Sequence, residues 1–276
     1  MILKNSSPPN LAQFADVIRE HTGGFLDNPA MRAELTLWRD PMPRSGRCLE
    51  AVYAPFEHIE HGAELVIVGI TPGQTQAENA LKAARTALRR GADPTTAARE
   101  AKVAASFSGE MRSFLCEMLD AAGAQQWFGI RRSSELFAAA AHRVHFTSAL
   151  RNPVFLSGEN YNGQPKILSH RRLLEIVETC LVEEAYALPN AYWLPLWDGP
   201  AAVLNHLVSR GTLKAERVLA PMPHPSKQNG ENVVWFCGRN TKAAFSSRRA
   251  STGPLLLERR DRLKAFFAIP PESRTA

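Results

Sequence analysis

The chain has 276 residues, of which 45% are hydrophobic and 22% are charged, a mixture typical of globular proteins. Its formal net charge is +6, and this modest basic excess favours a polyanionic partner without requiring one. No apolar run approaches the roughly 20 residues of a membrane span, and the first ten residues lack the apolar core of a signal peptide. We therefore expect a cytoplasmic protein without a membrane partner.

The predicted strands lie at 64–69, 144–150, 192–197 and 217–220, each a short apolar run bounded by turn residues. Residues 1–62 have no clear strand pattern and are predicted to be irregular to helical. Helical spacing of apolar residues predicts helices at 76–90, 95–105, 110–122, 166–187 and 199–210. This alternation indicates an α/β fold with a mainly parallel sheet and helices on both faces.

Ligands of such sheets bind at the carboxyl ends of the strands. The first strand is followed by Gly69-Ile70-Thr71-Pro72-Gly73-Gln74, a tight turn whose backbone N–H groups can face a ligand. It is not a P-loop, because no Lys-Ser/Thr pair follows, and a plain strand-to-helix turn is the alternative.

The last strand is followed by Pro221-Met-Pro-His224-Pro225-Ser226-Lys227-Gln228-Asn229. The prolines on both sides of His224 fix φ and stiffen the loop, so the imidazole would be held at the ligand edge of the sheet. A purely structural histidine is the alternative.

Together these two loops resemble those of the uracil-DNA glycosylase superfamily. The segments Phe107-Ser108-Gly109 and Pro195-Leu-Trp-Asp-Gly-Pro-Ala-Ala202 are similar to two further segments of that family, and the resemblance covers about residues 62–235. It implies a three-layer α/β/α sandwich with a central four-stranded parallel sheet. The whole chain, 1–276, would form one domain, with an N-terminal extension (1–62), a helical insertion (75–105) and a basic C-terminal region (239–276).

The resemblance also implies an activity: flipping a base out of duplex DNA and hydrolysing its N-glycosidic bond. His224 would donate a hydrogen bond to the departing base. The backbone groups of Ile70 and Gly73 would line the base pocket, and Phe107 would stack on the base, unless it simply packs in the core. DNA contacts would come from the last loop and the basic C-terminal region: Ser226, Lys227, Asn229, Arg259, Arg260 and Arg262.

The chain departs from the family at two points. Thr71 and Ile70 stand where relatives carry a water-activating Asp, Asn or acid, so Gln74 or Glu78 would position the water, with Thr71 as a further candidate. Ser148 stands where relatives have an Asn that reads the base edge, and a hydroxyl cannot copy the paired donor and acceptor of an amide. Asn152, in the following loop, can compensate.

The four cysteines, Cys48, Cys116, Cys180 and Cys237, lie far apart without a C-x-x-C pair. This spacing argues against a zinc ribbon or a disulfide scaffold and favours reduced thiols, although a metal or cluster site built from distant cysteines stays open. We expect neither a metal nor another cofactor.

The sequence thus predicts a monomeric DNA glycosylase for a damaged or modified base other than plain uracil, in repair or in defence against viral DNA with modified bases. Two alternatives stay open: a catalytically silent nucleic-acid-binding protein on the same fold, and a hydrolase of modified nucleosides or nucleotides.

Overall fold

The structure, a computed structural model, describes residues 8–43, 45–239 and 252–270. Within these ranges the strands are β1 (Thr36–Met42), β2 (Arg47–Val52), β3 (Leu65–Gly69), β4 (Val144–Ser148), β5 (Val154–Leu156), β6 (Glu159–Asn160) and β7 (Tyr192–Pro195). The α/β class is therefore confirmed. None of the described helices is both long enough and apolar enough to cross a membrane.

The five predicted helices are found, the fourth of them in two parts, and the described residues also form helices that the sequence did not predict, such as Gly230–Phe236 and Gly253–Phe267. The described helices are α1 (Ala15–Glu20), α2 (Pro29–Leu35), α3 (Gln74–Arg89), α4 (Pro94–Ala105), α5 (Glu110–Ala122), α6 (Ala124–Trp127), α7 (Arg171–Ile176), α8 (Val182–Ala187), α9 (Asp198–Ser209), α10 (Gly230–Phe236) and α11 (Gly253–Phe267). One π turn, Val177–Leu181, joins α7 to α8. The boundaries of α5 are those predicted, because Gly123 in the left-handed conformation ends the helix.

The chain divides into two compact units, each assembled from three separate segments. The first unit comprises Met1–Ile59, Ile70–Ser106 and Thr147–Ala187, and the second comprises Glu60–Gly69, Phe107–Phe146 and Leu188–Ala276. The prediction of one domain over 1–276 stays a prediction.

The first unit contains an antiparallel sheet that the sequence did not predict. Its strand order is β1-β2-β5-β6. Strands β1 and β2 pair antiparallel, from Thr36 opposite Val52 to Met42 opposite Arg47, so the prediction of irregular or helical structure was wrong there. Charged residues interrupt the apolar pattern of β1 and β2, which is why strand periodicity was not visible.

Helices α3 and α4 also belong to the first unit and pack against each other through alanines. The predicted helices at 76–90 and 95–105 are thereby confirmed. Its arginines are partly used inside the unit: Arg85 donates to the backbone oxygens of His21 and Gly23, and Arg89 donates to that of Arg19. These two side chains thus attach the end of α1, and the turn that follows it, to α3.

The second unit contains the core of the parallel sheet, which has the order β4-β3-β7. Strand β3 is buried along its whole length and pairs in parallel with β7, from Leu65 opposite Tyr192 to Val68 opposite Pro195. Apolar residues of α5, α10 and α11 pack in the same core cluster as Leu65 and Ile67.

The predicted strand 217–220 does not form a continuous strand. Instead, Val218 and Met222 make isolated parallel bridges to Trp193 and Leu196. Pro221 and Pro223 flank Met222, and proline lacks the N–H that would continue the ladder. The chain nevertheless runs beside β7 and carries His224 past its carboxyl end.

Candidate functional site

The loop after β3 is held by the side chain of Thr71. Its hydroxyl donates to the backbone oxygen of Asn152 (3.0 Å) and accepts from the backbone N–H of Val154 (3.1 Å). The backbone oxygen of Ile70 accepts from Leu150 (2.9 Å). Because the hydroxyl proton of Thr71 is already used, the geometry favours a structural role over water positioning for this residue.

Gln74 and Glu78 line an open polar pocket of about 400 Å³ in the first unit, together with Asp27, Lys82 and Asn160. The N–H of Gly73 donates to the side chain of Gln76 (3.0 Å), so it is not free for a ligand. The amide side chain of Gln74 donates to Asp27 (2.6 Å), and its backbone N–H donates to Asn160 (2.8 Å).

Glu78 is engaged by the backbone of the first unit. Its carboxylate accepts from the N–H groups of Phe25 (3.0 Å) and Leu26 (3.0 Å), and Lys82 lies at 3.3 Å. Burial alone would raise the pKa of Glu78, but these donors and the ammonium outweigh it and lower the pKa below its ordinary value. A carboxylate with a lowered pKa and occupied oxygens is a weak general base, so this arrangement favours a structural role.

Ser148 is the last residue of β4, and Asn152 lies in the loop that follows the strand. Asn152 is 3% exposed, yet its carboxamide makes no hydrogen bond within the part of the chain that the structure describes. Ser148 is half-buried. Buried amides are almost always paired, so an unpaired one is available for a ligand.

The loop that carries His224 follows Met222 in the second unit. His224 is half-buried, both flanking prolines are buried, and the imidazole has no hydrogen-bond partner among residues 8–43, 45–239 and 252–270. Burial lowers the pKa of His224 from its ordinary value of 6.5. The imidazole is therefore neutral at neutral pH and retains one N–H that can donate.

Phe107, predicted to stack on a base, is 7% exposed and belongs to the core cluster of the second unit. Its ring lies edge-on to Phe146 at 5.7 Å between centroids, and Phe146 stacks on Phe137. The structure therefore favours the alternative of core packing for this residue.

Trp197, which the sequence analysis did not single out, lies at the carboxyl end of β7. Its backbone has φ 82° and ψ 178°, a region that is essentially restricted to glycine and costs of order 1–3 kcal/mol for other residues. The guanidinium carbon of Arg259 lies 5.8 Å from the centre of the indole ring, and Arg259 is paired with Asp198 at 2.7 Å. No sequence pattern reports a backbone angle, so this feature could not be found earlier.

The predicted DNA contacts differ in exposure. Arg259 and Arg260 are only 13% and 17% exposed and are paired with Asp198 and Asp261, whereas Arg262 is 70% exposed, with Glu258 at 3.9 Å. Lys227 is 82% exposed, with Glu110 at 3.9 Å. The hydroxyl of Ser226 accepts from the side chain of Asn229 (3.0 Å), an interaction internal to the loop. Arg262 and Lys227 are thus the available cations among the predicted contacts.

The amino-acid sequence is similar to that of the uncharacterized protein YoxB of Bacillus subtilis (strain 168). Identity is 35% over 187 residues, which make up 67% of this chain and 73% of YoxB. The chain belongs to the YoxB family. No protein-family model matches it, and no solved structure matches it.

The cysteines of this YoxB-family chain are free thiols. Burial, with nearby acids, raises the pKa of Cys116 to about 11 and that of Cys237 to about 12, so both are protonated at neutral pH. In the described ranges no three or more His, Cys, Asp or Glu side chains are grouped to hold a metal ion.

Proposed function

We propose that this YoxB-family protein is a DNA glycosylase, which flips a damaged or modified base and hydrolyses its N-glycosidic bond. The observation that carries the proposal is His224: a neutral, half-buried imidazole without a partner in the described chain, held between buried prolines beside the carboxyl end of β7. Negative charge develops on the base as the glycosidic bond breaks, and a preorganised N–H in a partly dehydrated position stabilises it.

Asn152 supports the proposal as the residue that reads the base. Its carboxamide offers one acceptor and two donors and spends none of them on the described residues. A base edge with complementary groups would satisfy an amide that folding has left unpaired. This assignment transfers edge recognition from Ser148 to Asn152.

The fold proposal is the three-layer α/β/α sandwich around a four-stranded parallel sheet. The parallel pairing of β3 and β7 supports it. So do the two parallel bridges from Val218 and Met222, which add a fourth position beside β7.

The water-positioning group is proposed among Gln74, Glu78 and Thr71. Gln74 is the best supported of the three, because its side-chain oxygen accepts no hydrogen bond in the described chain, whereas the other two side chains hold backbone groups. An amide oxygen orients a water but does not deprotonate it, which suits attack on a cationic sugar.

The test is a single-turnover assay on duplexes that each carry one altered base, followed by cleavage at abasic sites. We expect His224→Ala to lower the rate constant of base release about 10²- to 10³-fold, the usual loss when one preorganised donor is removed. Affinity for the duplex should be retained, because the interaction strengthens only as charge develops. His142→Ala, at an exposed histidine, is the matched control. If the two variants release the base equally fast, His224 has a structural role.

A second candidate is a hydrolase of modified nucleosides. It is favoured by the internal pairing of Arg259 and Arg260, which leaves fewer cations for phosphates than the sequence suggested. Turnover of free nucleosides without binding to duplex DNA would identify this activity. Duplex binding without release of any base in the series would instead identify a catalytically silent binding protein.

A further inference from the structure

Trp197 is locked into a backbone conformation that its own side chain disfavours. Its N–H donates to the backbone oxygen of Met222 (2.7 Å), and its backbone oxygen accepts from Ala201 (3.2 Å) at the start of α9. Both groups thus hold the residue at φ 82° between β7 and the helix. Glycine adopts such angles freely, so the backbone conformation alone would favour glycine at this position. The tryptophan side chain must therefore have a role of its own.

The indole ring of Trp197 is held but not enclosed. The residue is half-buried, and its ring N–H makes no hydrogen bond in the described chain. Arg259 lies against one side of the ring and is fixed by Asp198, while the Nη1 atom of Arg259 is enclosed and has no described partner. An aromatic ligand would therefore use the part of the ring that remains exposed.

The position of Trp197 along the sheet links it to His224. Trp197 lies two residues after the end of β7, and its N–H donates to the backbone oxygen of Met222, two residues before His224. The two side chains consequently start from neighbouring points at the same end of adjacent parallel segments, where α/β proteins bind ligands. Phe107, the earlier candidate for stacking, is buried in the core.

We propose that the nucleobase of the substrate stacks on Trp197 and that Arg259 positions the indole for it. This inference rests on the proposed function, because it names the residue that holds the base on which His224 acts. Aromatic stacking on a base is tolerant of base identity, so a stack on Trp197 would hold the base without selecting it.

The test uses 2-aminopurine, a base whose fluorescence is quenched when it stacks on an aromatic ring. Two probes are titrated into the full-length protein: a duplex with one 2-aminopurine, and the free 2-aminopurine nucleoside. The variants are Trp197→Gly, which relieves the backbone angle and removes the ring, Arg259→Lys, and Trp38→Phe as a control at a half-buried tryptophan of β1. Thermal unfolding reports whether each variant is folded.

We expect wild type and Trp38→Phe to quench both probes. Trp197→Gly should stay folded and weaken nucleoside binding roughly 5- to 150-fold, the range for loss of one base–aromatic stack. Arg259→Lys should weaken nucleoside binding by less than Trp197→Gly does, because the indole ring remains and only the group against it is changed. An unchanged quench in folded Trp197→Gly, or no quench of either probe by wild type, overturns the inference.

The design separates this inference from the proposed function. His224→Ala should retain the quench while losing base release, which supports both. Quenching of the nucleoside that depends on Trp197, with no duplex binding, supports the stacking residue and rejects DNA as the substrate. Base release that depends on His224 but not on Trp197 supports the glycosylase and rejects the stacking residue.

Discussion

The carboxamide of Asn152 makes no hydrogen bond within the described residues, so a ligand can supply its hydrogen bonds. A buried polar group without a hydrogen bond destabilises a protein by about 1–3 kcal/mol relative to the paired state. Asn152 is nearly fully buried, and its backbone oxygen, but not its side chain, is used by Thr71. A residue of this kind is more easily explained by recognition than by stability.

Replacing Asn152 with leucine should therefore separate stability from recognition. We expect Asn152→Leu to retain or increase the free energy of unfolding, because an unpaired amide gives way to an apolar group of similar size. Selectivity among uracil, hypoxanthine, xanthine and 5-substituted cytosine duplexes should fall about 10- to 100-fold, since two edge hydrogen bonds are lost. Urea unfolding and single-turnover rates measure the two effects, with Asn205→Leu on the exposed side of α9 as the control.

Ser148→Asn introduces an amide, whereas Asn152→Leu removes one. If Ser148 occupies the base-reading position, this substitution should raise the rate on uracil and lower the rate on bases with bulky substituents. The measurement compares both rate constants with those of wild type on matched duplexes. If wild type removes uracil efficiently and Ser148→Asn changes nothing, the reading is done by Asn152 or by the backbone.

The sequence could predict the position of His224 beyond the end of the sheet, because the signal is local: two prolines beside a histidine after an apolar segment. The partners of Thr71 and Glu78 come from distant positions, Asn152 and Phe25 among them, and no local pattern encodes such pairings. Trp197 was missed because its sequence neighbours, Leu196 and Asp198, give no sign of a positive φ. The residues of the candidate site were thus predictable by type, but not by their hydrogen bonds.

At the scale of elements, the α3–α4 pair depends on small side chains. Ala84 and Ala87 of α3 and Ala97 and Ala101 of α4 are fully buried in the same cluster. Larger side chains would hold the two helices apart, and well-packed interiors have little free volume to accommodate them.

Ala101→Leu should consequently destabilise the protein by about 1–3 kcal/mol through overpacking. Ala104→Leu, three residues further along α4 on its exposed side, is the matched control and should change stability little, since leucine and alanine have similar helix propensity. Equal unfolding midpoints in urea for the two variants would mean that the α3–α4 interface adapts to the larger side chain.

Elements were predictable where one periodicity dominated. The apolar run of β3 and the alanine-rich or amphipathic patterns of α3, α4 and α5 predicted these elements to within about two residues. The antiparallel sheet was missed because its strands are short and mixed in polarity, and pairing of β2 with β5 joins residues about a hundred positions apart. Such long-range pairing is stabilised by partners that a local window does not contain.

At the scale of the whole molecule, charge predicts a salt-dependent encounter with DNA. With a net charge of +6 and about four phosphates neutralised, log affinity for duplex DNA should fall with log salt at a slope of roughly −3 to −4. Arg262→Gln should make that slope shallower by about 1, because Arg262 is 70% exposed.

Arg260→Gln provides the matched control, because Arg260 is 17% exposed and paired with Asp261. For Arg260→Gln, the slope of log affinity against log salt should equal that of wild type. Fluorescence anisotropy of a labelled duplex over a series of salt concentrations measures all three proteins. An affinity that is independent of salt would argue against DNA as the partner.

The alternation of chain segments between the two units has a consequence for biosynthesis. The first unit has all of its segments once residue 187 has been made, whereas the second still awaits β7, the His224 loop and α11. Domains tend to fold as they emerge from the ribosome, N-terminal parts first. We infer that the earlier segments of the second unit, including the apolar strand β3, stay unpaired until the rest of that unit has been synthesised. A chain that stops prematurely would leave these segments exposed to chaperones or proteases.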